Sequence, residues 1–265
     1  MHQTIVLQLQ RHAEIMPNII HNSGYSLFFG DATTCPLSAT RLKPANAGNR
    51  HSPEFFIWAD QLRQQLGLTH LVFQKQVHGT DGWNITNTDQ LAGHLDCFTH
   101  TGDFLITNQP KVGIGVLTAD CLPVIFCAPK HRVVAIAHAG WPGTVKNIAG
   151  KVLTSLQQHY GITPQDIQIH FGPSAQSCCY AVTAEFEENL RTCPYTSKVL
   201  MQRNGQLYFD NPGLNKLQLI AAGIKEENIN VTAHECTICN SRFHSYRRAT
   251  DKQNYGTQAT IVWIK

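Results

Sequence analysis

Three apolar stretches of this 265-residue chain end in residues that bind soft or borderline metals. Leu71 to Val77 leads into His78-Gly79, and Val112 to Leu117 leads through Thr118-Ala119-Asp120 to Cys121. Arg132 to Ala137 leads into His138-Ala139-Gly140-Trp141. Two imidazoles and a thiolate make a ligand set suited to zinc, with a fourth tetrahedral position left for water or substrate. That open position separates a catalytic from a structural site. Cu(I) accepts the same donors, so donor type favours zinc over copper without deciding between them. Spacing adds less, because the ligands come from three strands rather than a C-x-x-C pair, and a lone histidine is usually a hydrogen-bonded polar group. Glycine close behind each histidine lets backbone approach a ligand or adopt an unusual conformation.

Other residues offer chemistry with a plainer alternative beside it. Asp120 precedes the cysteine and reads either as an acceptor that orients the site or takes up a proton, or as a turn residue. Arg247 and Arg248 in SYRR match the oxygens of a phosphate in bidentate fashion, or are a surface pair. His244 is a weaker candidate beside them. Cys236-Thr-Ile-Cys239 invites a zinc-ribbon or redox reading. A ribbon wants a second C-x-x-C, which is lacking, and a redox pair should open a helix, whereas Asn240-Ser241-Arg242 reads as loop. The pair is therefore expected to be structural. Neighbouring Cys178 and Cys179 are too strained to bridge each other and are expected to be packed thiols near the site.

The elements that must position these residues alternate. A helix is expected to end near Gln61 to Leu66, stopped by Gly67. Strands are expected at 71–77, 104–107, 112–117, 123–127, 132–137, 167–171, 229–233 and 257–264. One helix begins at Pro142, with Val145, Ile148, Val152 and Leu156 at helical spacing. A second is expected to be capped by Asn211, to carry Pro212 in its first turn and to stop at Gly223. Residues 31–53 read as a long loop. The runs from 103 to 137 follow too closely for helical crossovers. The expected fold is therefore α/β, an α+β layered sandwich with a mixed sheet and flanking helices, in a single domain over 1–265.

Composition narrows the function classes. Hydrophobic residues make up 42% and charged residues 15% of the chain, below the roughly 25% charged of soluble domains. That implies a large core. The net charge of +3 with no basic run argues against nucleic acid as partner. No window approaches the ~18 apolar residues of a membrane span, and the polar N-terminus is no signal peptide. Nine cysteines, several within apolar runs, fit reduced thiols in a cytoplasmic protein.

The strings QVHGTD (76–81), LTADCLPVIF (117–126), AHAGW (137–141), FGPSAQSCCY (171–180) and SYRR (245–248) resemble the YfiH-type family. That family is also called laccase-like or multicopper polyphenol oxidoreductase, and is now described as purine nucleoside phosphorylases. The resemblance runs from about Leu71 to the C-terminus. It implies a single-domain α/β sandwich and a metal held by His78, Cys121 and His138. It also implies phosphorolysis of adenosine, inosine and methylthioadenosine to base plus ribose 1-phosphate, together with deamination of adenosine. Zinc chemistry suits attack of water at C6, with Asp120 a possible proton carrier. Phosphorolysis needs phosphate near the anomeric carbon and charge stabilisation by Arg247 or Arg248. Trp141, Phe243 and Tyr246 would then stack on the base, or belong to the core. The chain departs from the family twice. Pro142 stands in HAGWPG where an arginine is usual, and FFGDATTCPLSATRLK replaces the usual N-terminal pattern, so phosphate binding and the substrate-facing lip are both open to change.

Three rivals remain at this stage. A copper-dependent phenol oxidase needs a mononuclear site and a trinuclear cluster built on H-x-H pairs; the chain has 14 histidines and no H-x-H. A cysteine hydrolase or amidase acting on peptidoglycan precursors would use Cys121 as nucleophile and His138 as base. A metal-binding interaction module would have no use for an open coordination position.

Overall fold

The computed structural model describes residues 18–35, 53–231, 233–252 and 255–265. Two six-stranded sheets lie face to face. The first has the order Ile19–His21, Tyr25–Phe29, Gln258–Ile264, Val112–Thr118, His70–Lys75, Leu95–Thr101. The second has the order Ile229–Asn230, Gln168–Phe171, Leu122–Ala128, Val133–Ala139, Phe104–Thr107, Gly82–Ile85. Both mix parallel and antiparallel pairs. The layered α/β expectation holds, with two mixed sheets in place of one.

Each sheet is apolar on both faces because each is covered twice. Val72, Ile114, Leu105, Ile125, Val134 and Ile136 meet between the sheets. Outside the first sheet, Phe55, Trp58 and Leu62 of helix Pro53–Gln65 pack on Leu71, Phe73 and Ile261. Outside the second, Ile148, Val152 and Leu156 of helix Ile148–Tyr160 pack on Val124, Phe126 and Ala135. Each such side chain contributes roughly 1.5–3 kcal/mol of burial. Within Val112–Thr118, Gly113 and Gly115 keep the helix-side face low. A Cβ there would lie 2.5 Å from Leu68 and from the Phe73 ring respectively. A third, three-stranded sheet (Ala181–Val182, Gln206–Phe209, Leu200–Arg203) has its own cluster around Tyr180, Leu190, Phe209 and Leu214.

The chain passes from the first sheet to the second three times in succession. It does so between His70–Lys75 and Gly82–Ile85, between Leu95–Thr101 and Phe104–Thr107, and between Val112–Thr118 and Leu122–Ala128. The middle strand of the three, His70–Lys75, is parallel to both others, so all three crossings leave from one end of the sandwich. Strand Val133–Ala139 runs antiparallel to Leu122–Ala128, which returns residue 138 to that end, opposite Pro123.

Several expectations needed correction. The single helix from Pro142 is two, Trp141–Val145 and Ile148–Tyr160. Asn147 breaks it in a left-handed conformation (φ 59°), its side chain accepting from the Gly150 amide as a cap. The apolar spacing runs through that break and so conceals it. The cap of helix Asn211–Ala221 is Asp210, which accepts from the Gly213 amide, not Asn211. The strand expected at 71–77 stops at Lys75, and that at 229–233 is Ile229–Asn230. Of the expected loop at 31–53, Asp31–Cys35 form a turn on the Asp31 carboxylate and Pro53 starts a helix; 36–52 lie outside the described residues.

Candidate active site and metal centre

Each sheet-to-sheet crossing carries a residue of the site: His78 on the first, Asp103 on the second, Asp120 and Cys121 on the third. His138 joins them from within its strand rather than beyond its end. The ligand atoms of His78, Cys121 and His138 all lie within 4.8 Å of one another. Cys121 Sγ is 3.6 Å from His78 Nε2, and the two imidazoles stand edge to face at 4.7 Å between centroids. The trio grades from exposed His78 through half-buried Cys121 to buried His138.

Asp103, which no sequence pattern marks, fixes this arrangement. Its buried carboxylate accepts from the consecutive amides of Val77 (3.2 Å), His78 (3.0 Å) and Gly79 (2.6 Å), and from His138 Nδ1 at 2.8 Å. Three amides in a row form an anion-binding nest. It compensates the left-handed backbone of His78, φ 59°, which a non-glycine residue adopts at some cost. The bond to Nδ1 leaves His138 Nε2 to face the other ligands, the usual role of an outer carboxylate in metal sites. Burial raises the pKa of Asp103, but the His138 contact and the loop amides outweigh it and hold the carboxyl below its ordinary range. The only sequence signal would have been the requirement that a ligating histidine have a carboxylate partner.

Burial alone would push the Cys121 thiol up, yet the neighbouring His138 and His78 bring it down to about 6. Burial likewise opposes charge on His138, while the Cys121 sulfur and Asp103 hold it up at about 9. The pair is thus poised as thiolate and imidazolium, the ionisation that suits a nucleophile; a metal ion would take the thiolate as it stands and displace the proton from His138 Nε2. Gly140 has no room to be anything else: a Cβ would lie 2.6 Å from the His78 ring and 3.1 Å from Cys121 Sγ.

The trio opens onto a cavity of about 510 Å³, within the range of small-molecule sites. Trp141, Tyr180, Tyr246 and Tyr255 are among its walls, and Arg247 is the only lysine or arginine among the described residues that line it. Gln74 Nε2, Thr118 Oγ1 and Asn211 Oδ1, on three more lining residues, are buried without a hydrogen-bond partner. Buried polar groups are rarely left so. Asn211, rather than capping its helix, donates to the Ala139 carbonyl at 2.9 Å and turns a free acceptor to this region.

The remaining sequence candidates separate. Asp120 lines the cavity at φ 92°, with Oδ1 accepting from Thr237 Oγ1 and Oδ2 from the Arg247 amide, both at 2.7 Å. Arg247 lies 4.8 Å over the Tyr180 ring and donates to the Ala181 carbonyl at 2.8 Å. Arg248 does not line the cavity: it collects the carbonyls of Thr237, Ile238, Asn240 and Phe243. Trp141 and Tyr246 are in the cavity wall, whereas Phe243 is buried outside it. His244 bonds the Cys35 carbonyl at 2.9 Å and also stays outside. Pro142 sits in the first turn of its short helix and is not a lining residue.

Cys178 and Cys179, expected as packed thiols near the site, lie beside the C-x-x-C pair. Their sulfurs gather with those of Cys236 and Cys239, all four within 4.8 Å of one another. Among the described residues these two groups are where histidine, cysteine and carboxylate donors converge.

Comparison with known proteins agrees with this architecture. The chain is 37% identical over 180 residues to purine nucleoside phosphorylase YlmD of Geobacillus stearothermophilus, a match spanning 66% of this chain and 65% of that protein. It is 32% identical over 198 residues to adenosine deaminase RL5 of an unknown prokaryotic organism, covering 71% and 74% of the two. The crystal structure of the Bacillus licheniformis hypothetical protein YfiH superimposes with a TM-score of 0.77 at 26% identity, over 91% of this chain and 93% of that one. A family profile described as multi-copper polyphenol oxidoreductase laccase matches residues 59–265, and the chain belongs to that family.

Proposed function

We propose that the protein is a zinc-dependent purine nucleoside phosphorylase that also deaminates adenosine, working as one domain in a reducing cytoplasm. The observation that carries this reading is the convergence of three ionisable soft and borderline donors on a cavity with aromatic walls and one guanidinium. Two relatives that bear the names of these activities support it.

The donor set fits zinc in kind and number: two imidazole nitrogens, one activated thiol and a histidine whose second nitrogen is already engaged. Bound by His78, Cys121 and His138, zinc would supply Lewis acidity at the cavity floor. The protein's own groups do the rest. Asp103 holds His138 in the ligating tautomer and shapes the loop that presents His78. Trp141 and Tyr246 offer faces for a flat base. The unpartnered Gln74 donor and the Thr118 and Asn211 oxygens can take up the polar groups of the nucleoside. Arg247 supplies the positive charge that a phosphate near the sugar requires. Asp120, a carboxylate on the cavity wall, is the available proton acceptor, and its bonds to Thr237 and Arg247 fix its position. Arg248 serves by shaping the loop behind Arg247. The absent family arginine at Pro142 leaves Arg247 as the main anion contact.

The test is a nucleoside panel with and without phosphate, on zinc-loaded protein. Release of hypoxanthine from inosine that depends on phosphate, and conversion of adenosine to inosine, are expected. Inertness toward both would sink the proposal. Arg247→Ala should raise the phosphate KM by about 10–100-fold, the worth of a hydrogen bond to a charged group, with less effect on deamination.

A second reading draws on the depressed Cys121 thiol: with His138 as base and Asp103 as its orienter, Cys121 could be a nucleophile. Iodoacetamide separates the two. A ligand thiol is protected by zinc and reacts after chelation; a nucleophile is labelled equally in both states.

A further inference from the structure

We propose that Cys178, Cys179, Cys236 and Cys239 form a second, all-thiolate metal site that takes zinc and clamps together the two segments forming the Arg247 side of the cavity. The inference concerns a site separate from the His78 centre and does not depend on the reaction carried out there.

Four sulfurs lie within 4.8 Å of one another. A tetrahedral zinc with Zn–S bonds of ~2.3 Å holds its sulfurs about 3.8 Å apart, so a small contraction would close the shell. The C-x-x-C spacing of Cys236 and Cys239 is that of a metal-binding turn, and the adjacent Cys178 and Cys179 take the place of the missing second pair. Hard cations such as Mg²⁺ or Ca²⁺ avoid an all-sulfur shell, and four protein donors leave no open position. Zinc at this site is structural in kind.

The two segments that carry the sulfurs are already laced together. Ser174 donates to the Glu235 carbonyl and accepts from the Thr237 amide, both at 3.0 Å, and Gln176 Nε2 donates to the His234 carbonyl at 2.8 Å. The guanidinium of Arg248 holds the turn from its other side through the Thr237, Ile238 and Asn240 carbonyls. Tyr180 follows the first cysteine pair directly, and Arg247 lies beyond the second. Closing the sulfur shell would thus fix the relative positions of two cavity-lining residues.

The test is metal quantitation on protein expressed with zinc and purified without chelator. About two zinc ions per wild-type chain are expected. The His78→Ala/Cys121→Ser variant should keep about one. Its cobalt form should show the strong sulfur-to-cobalt charge-transfer absorption of a thiolate-rich tetrahedral site. The Cys178→Ser/Cys239→Ser variant should also keep about one, without that strong band, and should melt at a lower temperature. Zinc-free His78→Ala/Cys121→Ser protein that also fails to bind cobalt would overturn the proposal, as would a disulfide within the quartet in peptides from the reduced, zinc-grown protein. The Cys178→Ser/Cys239→Ser protein need not fold for either result to count. Loss of one of the two metals in the His78 variant series reports on the first centre, and loss of the other on the quartet, so the two sites fail separately.

Discussion

The histidine–cysteine–histidine centre and the cysteine quartet are both sulfur-bearing, yet they are built on different supports. The first stands on three short crossings between two packed sheets and one strand inside the second sheet. Its donors are mixed and stop at three, and a buried carboxylate orients one of them. The quartet stands on loops, uses one donor type and offers four donors. Rigid placement with a vacancy suits chemistry; closure on loops suits cohesion. Asp120 joins them: it precedes Cys121 in the chain, and its carboxylate bonds Thr237, inside the C-x-x-C turn. Neither group of donors among the described residues is a histidine-rich cluster.

The largest effect separating the two centres should come from their ligands. Cys121→Ser is expected to reduce phosphorolysis and deamination by more than about a hundredfold, beyond the 10–100-fold typical of losing an outer partner alone. Cys178→Ser/Cys239→Ser should leave kcat within a few-fold while lowering thermal stability. Steady-state kinetics and melting curves on both variants decide this. If the quartet variant lost turnover as severely at full folding, the division into catalytic and cohesive centres would break down.

Residue type and position made one centre legible and hid the other. His78, Cys121 and His138 each follow an apolar run, so strand patterning delivered them together and the motif strings added the rest. Asp103 carried no such mark. A single aspartate between Gly102 and Phe104 resembles any turn residue until the crossing at 102–103 comes beside 77–79 in three dimensions. Cys178-Cys179 lacked the spacing expected of a ligand pair, and nothing in the chain announces that 174–179 and 234–239 lie side by side. The same limit applies to the fold. Long apolar strands such as Leu122–Ala128 were legible, whereas Leu95–Thr101 (LDCFTHT), polar over half its length, was not. A left-handed Asn147 inside uninterrupted helical spacing was equally invisible.

Intermediate effects should come from the residues that shape the first centre without binding metal. Asp103→Asn keeps the volume but turns an amide donor toward loop amides that need an acceptor. Zinc affinity is expected to fall by about 10–100-fold, read by competition with a chromophoric chelator. Gly140→Ala forces a methyl group within 2.6 Å of the His78 ring and should have a comparable effect. Zinc binding at wild-type strength in Asp103→Asn would show that the strand and crossings alone position His138.

The smallest effect tests whether cohesion differs between the sandwich core and the quartet's side of the molecule. His170 lies between the two sheets, where Tyr25 donates to Gln168 at 2.6 Å and meets His170 Nε2 at 3.0 Å. Burial pulls His170 down to about 4, and burial does the same to His234, which pairs with Ser174 beside the quartet. Unfolded histidine titrates near 6.5. Between about pH 6.5 and 4 the unfolded chain therefore takes up protons that the folded chain refuses, and stability falls as the solution is acidified. Above that window the stability is fully present; below it the loss levels off. Each group contributes at most about 1.4 kcal/mol per pH unit. Urea unfolding of His170→Gln between pH 7 and 5 should show a shallower loss than wild type, with His234→Gln flattening the remainder. Equal slopes in all three proteins would show that neither histidine sets the acid sensitivity in this window; Asp103 and Asp31, whose folded pKa values are lowered instead, lose their contribution only below about pH 4.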